Sequence, residues 1–312
     1  MNPFDENSSQ PPDSAPGPED RLPTSDSTAP AAEPLADHPS GPTVSSPFLL
    51  LPPERSYPED LQISWSWPHF ISLLFFGFVS LVLIQTSLAV HYLPAHHKFT
   101  PKQIETFLIS KPQFAIGSML IWYAAIFFFL YVTLSVLRGH VFWQCLGWRK
   151  IIQNNPDQPR NPLIYLFTGC GLSLFVAVLT SRLKPPENLP VEELFKFRNT
   201  AMLFMAMAVL VAPLVEETLF RGYLYPLFAR SFGVTPGIVL TGVLFGFMHG
   251  AQLGWTWSLV AILSFVGIVF TFVRARTGSV FASYLMHLGY NSLIAVAAIA
   301  STHGFTKMPT AH

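Results

Sequence analysis

The chain has 312 residues, half of them hydrophobic, 12% charged and 28 of them phenylalanine. That balance exceeds what a soluble core requires; no nucleic-acid partner is expected, and two cysteines give no disulfide framework. The formal net charge of zero is unevenly divided. Residues 1–60 hold eleven acidic residues against Arg21 and Arg55, a local charge of −9, so residues 61–312 carry +9. An acidic tail joined to a mildly basic membrane body is expected.

The tail, residues 1–60, contains 14 of the 28 prolines and no hydrophobic periodicity before Phe48. It cannot bury enough apolar surface to offset its ordering entropy, so it is expected to be disordered. Its acidic, polar start is not that of a secretory signal. Beyond it, runs of 17–25 apolar residues, the length a helix needs to cross the hydrocarbon, occur near 68–92, 113–137, 162–181, 200–220, 236–252, 256–273 and 279–300. The fold class expected is all-α: a polytopic, multi-pass integral membrane protein of about seven transmembrane helices. Residues 61–199 form an N-terminal membrane region and 200–300 a second domain. The last four runs are joined by short links and must cluster. Gly242, Gly246 and Gly250 recur every four residues on one helical face, a spacing that lets backbones approach closely in lipid. Cys145 and Cys170 are expected as free thiols. Lys and Arg divide eight to eight between the two faces, so the positive-inside rule leaves the orientation open.

The informative residues lie in this last cluster. A carboxylate at bilayer depth costs roughly 2.5–3.5 kcal/mol on insertion scales, which makes Glu216 and Glu217 a functional-site hypothesis. On an α-helix Glu217 and Arg221, four apart, lie within about 40° of each other and are placed to pair. Glu216 points about 140° from Arg221 and is left to face a cavity. The same four-residue spacing puts Phe245 with His249, and His287 with Asn291. A carboxylate and a histidine converging on one water polarise it as a general base. A second histidine and an asparagine can stabilise an oxyanion. Together these describe a hydrolase of amides. The competing reading is a non-catalytic membrane protein, an immunity or regulatory scaffold or a small transporter, that uses the same polar residues between helices. By contrast, Glu192, Glu193 and Arg198 read as a solvated or interfacial link. His-Glu-x-x-His, any aspartate after Asp157, and a Gly-x-Ser-Gly loop are all absent, which leaves a glutamate with histidines.

These motifs resemble those of the CPBP family, the CaaX protease and bacteriocin-processing intramembrane proteases, also called Abi, which include the type II CaaX prenyl endopeptidases. Glu-Glu-x-x-x-Arg matches Glu216, Glu217 and Arg221; Phe-x-x-x-His matches Phe245 and His249; His-x-x-x-Asn matches His287 and Asn291. The resemblance covers roughly residues 200–300 and implies an intramembrane endopeptidase acting on a membrane-associated protein or peptide substrate in the lipid bilayer. It also implies that Glu216 with His249 activates the attacking water, His287 with Asn291 stabilises the oxyanion, and Glu217 with Arg221 positions the first helix. The family is often labelled metalloprotease, and Glu216, His249 and His287 would be the ligands if zinc were used. The metal-free form is favoured because Asn291, on the face of His287, suits an oxyanion role better than a ligand role.

Overall fold

The computed structural model describes residues 58–92, 100, 112–151, 161–183, 195 and 198–305. The expected disordered tail thus lies outside the described residues as far as residue 57. The described chain is helical, without strands. In order, α1 is Trp67–Tyr92, α2 Pro112–Tyr131, α3 the single turn Phe142–Cys145, α4 Leu163–Thr180, α5 Arg198–Leu210, α6 Ala212–Glu216, α7 Tyr225–Phe232, α8 Val234–Met248, α9 Trp257–Thr277 and α10 Val280–Ser301. Six stretches are long and apolar enough to cross a membrane, and α8 is a shorter apolar helix. An all-α multi-pass membrane protein is therefore the fold; the seventh expected crossing, near 236–252, falls on a helix of 15 residues, shorter than the six that are long enough to cross. Helices suit this setting because each satisfies its own backbone groups where no water is available. Large apolar side chains such as Phe75, Phe78, Val90 and Phe128 point outward, where lipid would solvate them.

The fourth stretch departs from the expected 200–220. It runs from Arg198 to Phe232, 35 residues, because Arg221 does not end it: the guanidinium is fully buried and paired within the protein. A continuous α-helix of that length would span about 50 Å, more than the roughly 30 Å of hydrocarbon. Within the stretch α5 passes to α6 through Val211, which keeps helical dihedrals, Pro213 stands in the first turn of α6, and the ladder widens into a π-helical segment over Glu217–Leu224. Pro226, which has no N–H to give, sits in the first turn of α7, where the wider ladder returns to α geometry.

Packing follows the small residues. α8 and α9 lie against each other with Gly242 and Gly246 at the contact, where an added Cβ would strike Ile268 and Ser264. One core cluster gathers Leu130, Leu134, Phe220, Tyr223 and Phe245, and another Val266, Phe270, Met286 and Tyr290. Cys145 and Cys170 are free; burial pushes the Cys145 thiol up, so it stays protonated at neutral pH.

The segment leading into α1 is bound across one end of this core. Glu59–Leu61 forms a 3-10 turn. Asp60 pairs with the buried Arg274 at 3.0 Å, and Glu59 pairs with Arg149 at 3.0 Å. The carbonyl of Ile63 accepts from Arg230, and the Trp65 indole N–H donates to the Tyr223 carbonyl at 3.1 Å. Removing Asp60 would strand a buried guanidinium, a change that typically costs about 3–5 kcal/mol. Asp60→Ala is therefore expected to lower the melting temperature in detergent clearly, whereas deletion of residues 1–55 leaves these bonds in place and should leave melting and insertion unchanged. Equal melting of wild type and Asp60→Ala would contradict this.

Candidate active site

The site is built on four segments. Glu216 is the last residue of α6 and Glu217 the first of the π-helical segment, so the backbone changes pitch between the two carboxylates. π-helical turns inside helices are rare and occur often at functional sites. The two side chains diverge: Glu217 is fully buried, while the Glu216 side chain keeps 17% of its surface exposed.

Glu217 is held on both sides. Its Oε1 accepts from Arg221 Nη1 at 2.9 Å and from His287 Nδ1 at 2.9 Å. Arg221 is itself fixed from α9, where Nη2 donates to the Gly267 carbonyl at 2.9 Å and Nε donates to Thr271 Oγ1 at 3.3 Å. The guanidinium lies over the Phe245 ring, 4.5 Å from its centroid. A buried charge pair is tolerable only when its remaining donors are satisfied, and here α9 and the aromatic faces supply that.

The two histidines have defined proton positions. His249, at the end of α8, places Nδ1 2.8 Å from the carbonyl of Phe245. A carbonyl only accepts, so Nδ1 carries a proton, and in the neutral ring Nε2 presents its lone pair. That Nε2 stands 3.8 Å from Glu216 Oε1. By the same logic, the bond from His287 Nδ1 to the Glu217 carboxylate turns His287 Nε2 toward Glu216, 3.7 Å from Oε2. Phe245 lies beside both rings, at centroid distances of 4.7 and 5.8 Å.

The fold thus brings Glu216, Glu217, Arg221, His249 and His287 together. Asn291 is anchored to α5: one of its amide protons goes to the carbonyl of Ala208 at 2.8 Å, leaving the second. Sequence reading missed two groups that hold Arg221, Gly267 and Thr271. Their signal is weak, a glycine and a threonine four apart on an apolar helix. It also paired Glu217 with Arg221 alone, since helical phase carries no information about α10.

Zinc would sit about 2.0–2.2 Å from each ligand, drawing three donor atoms to within about 3.4 Å of one another. Here each imidazole instead faces a different oxygen of Glu216, at 3.8 and 3.7 Å. Among the described residues no group of three or more His, Cys, Asp and Glu is arranged to hold a metal ion. Glu216, His249 and His287 are the residues that would hold a zinc ion, and their donor atoms stand a few tenths of an ångström wider than that ion would impose.

The described residues thus place a carboxylate and two imidazoles facing one another, beside a second carboxylate neutralised by arginine, inside an all-helical membrane protein. Residues 198–293 match the family model described as "Type II CAAX prenyl endopeptidase Rce1-like", so this segment is similar to that family. The match spans less than half of the chain. It agrees with the CPBP resemblance carried by the three motifs. No curated protein and no solved structure matches the chain.

Proposed function

We propose that the protein is an intramembrane endopeptidase in which Glu216 and His249 activate a water molecule for attack on a peptide carbonyl. The observation that carries this reading is the placement of two acceptors, Glu216 Oε1 and His249 Nε2, 3.8 Å apart at the partly exposed edge of the buried cluster. Two facing acceptors suit a molecule that donates twice, and water is such a molecule. Glu216 takes a proton from it as the oxygen bonds to the carbonyl carbon. The C–N bond then breaks as the amine leaves with a proton returned through Glu216 or His287. The second amide proton of Asn291 is suited to stabilising the oxyanion, and His287, oriented by Glu217, can join it once its Nε2 has taken up the proton removed from the water. Glu217 and Arg221 do not touch substrate; they fix His287 and the π-helical segment. The family model's description supports a prenylated C-terminal CAAX sequence as the substrate class.

The test is cleavage, by purified protein in detergent micelles, of an internally quenched peptide ending in farnesylated Cys-aliphatic-aliphatic-X. Release of the last three residues, identified by mass spectrometry, is expected. An intact peptide after long incubation with well-folded protein would overturn the substrate class.

We further propose that the reaction is metal-free, because the donor set addresses separate oxygens of Glu216. Cleavage should survive a membrane-permeant chelator, and elemental analysis should find no stoichiometric metal. Stoichiometric zinc whose removal parallels loss of cleavage would contradict this.

A further inference from the structure

The catalytic reading places its two working pieces on different helices: Glu216 and Glu217 at the α6–π junction, His287 on α10. Something must fix their relative height and rotation, since Glu217 Oε1 meets His287 Nδ1 at 2.9 Å. Part of that work falls to the connection after α3, residues 146–149, which is wedged between the same segments. Leu146 is fully buried, with its carbonyl against Gly222 of the π-helical segment, where a Cβ would collide. Gly147, at φ 77°, accepts from the N–H of Val280, the first residue of α10, at 2.9 Å. The carbonyl of Arg149 accepts from Ser279 Oγ at 2.6 Å.

Trp148 is the residue that touches both sides. Its indole N–H donates to Thr218 Oγ1 at 3.0 Å, and its ring packs on Tyr284 at a centroid distance of 5.4 Å. Thr218 is fully buried and directly follows Glu217; its own hydroxyl proton goes to the Leu214 carbonyl at 2.7 Å. The oxygen is thereby left to accept, which is the role Trp148 requires of it. Tyr284 lies three residues before His287, one turn away on α10.

We infer that Trp148 is a positioning residue for the Glu217–His287 pair, bridging the π-helical segment and α10 so that His287 Nε2 stays aimed at Glu216. This rests on the catalytic reading above. It acts through geometry alone, and misplacing reacting groups by about 1 Å can cost roughly 100-fold in rate.

Thr218 supplies the cleanest test. Thr218→Val keeps the shape and removes the acceptor, whereas Thr218→Ser keeps the acceptor and loses a methyl group. With the farnesylated quenched peptide, Thr218→Val and Trp148→Phe are expected to lower kcat by roughly 10- to 100-fold with KM near wild type, and Thr218→Ser to restore most of the rate. The Trp148→Phe/Thr218→Val double variant should fall no further than either single variant. Wild-type kcat in Thr218→Val, or equal losses in Thr218→Val and Thr218→Ser, would overturn the inference; should Trp148→Phe fail to fold, the Thr218 pair decides alone. Glu216→Gln, measured in parallel, separates the two claims: if it is active, the catalytic reading fails, and if it is inactive while Thr218→Val is normal, only the positioning role fails.

Discussion

Glu216→Gln is expected to insert and fold like wild type while its kcat for peptide cleavage falls by roughly 10²- to 10⁴-fold, the usual contribution of a general base. Two features of the site make this separation of stability from activity possible. The Glu216 side chain is partly exposed, and its nearest partners are imidazole nitrogens at 3.7 and 3.8 Å, beyond direct hydrogen-bond distance. Little folded-state structure hangs on the charge. The amide keeps the volume but has no proton-accepting charge, so a water polarised between Glu216 and His249, as proposed, would lose its base. A fully active Glu216→Gln protein would remove Glu216 from the mechanism and favour a non-catalytic polar network.

Arg221→Ala should act in the opposite way, on folding before chemistry. The guanidinium is completely buried, neutralises Glu217, donates to the Gly267 carbonyl and to Thr271, and lies over Phe245. Its removal leaves a buried carboxylate uncompensated, a loss of about 3–5 kcal/mol in comparable buried pairs. Lower yield of folded protein and a lower melting temperature in detergent are expected, together with lost cleavage as His287 loses its fixed partner. Arg221→Lys should rescue poorly, because an ammonium cannot reproduce the planar fork that reaches Glu217 and Gly267 together. Unchanged melting of Arg221→Ala would show that the pair does not stabilise the fold.

Helical phase along a single element was legible in the sequence. The Glu217–Arg221 pair follows directly from four-residue spacing, as does the approach of His249 to Phe245, whose carbonyl takes its Nδ1 proton. The glycines of α8 announced its close contact with α9 in the same way. Contacts between elements were not legible. Nothing in spacing placed His287 on Glu217, tied Asn291 to Ala208, or brought Trp148 to Thr218, because each bond joins segments whose relative height is set by packing. The fourth crossing was cut short at residue 220 because an arginine reads as a boundary until its partners are seen. The change of pitch at Glu217 was also hidden, since a uniform 100° per residue describes α6 but not the π-helical turns after it.

The central claim is that water, activated at Glu216, hydrolyses a peptide bond. It is tested most directly by single-turnover cleavage of the farnesylated peptide in ¹⁸O-labelled water, with the new carboxylate read by mass spectrometry. One ¹⁸O atom in the carboxylate of the prenylated fragment on the first turnover is predicted, with no fragment from Glu216→Gln. An unlabelled carboxylate from the first turnover, or labelled product formed equally well by Glu216→Gln, would contradict the account.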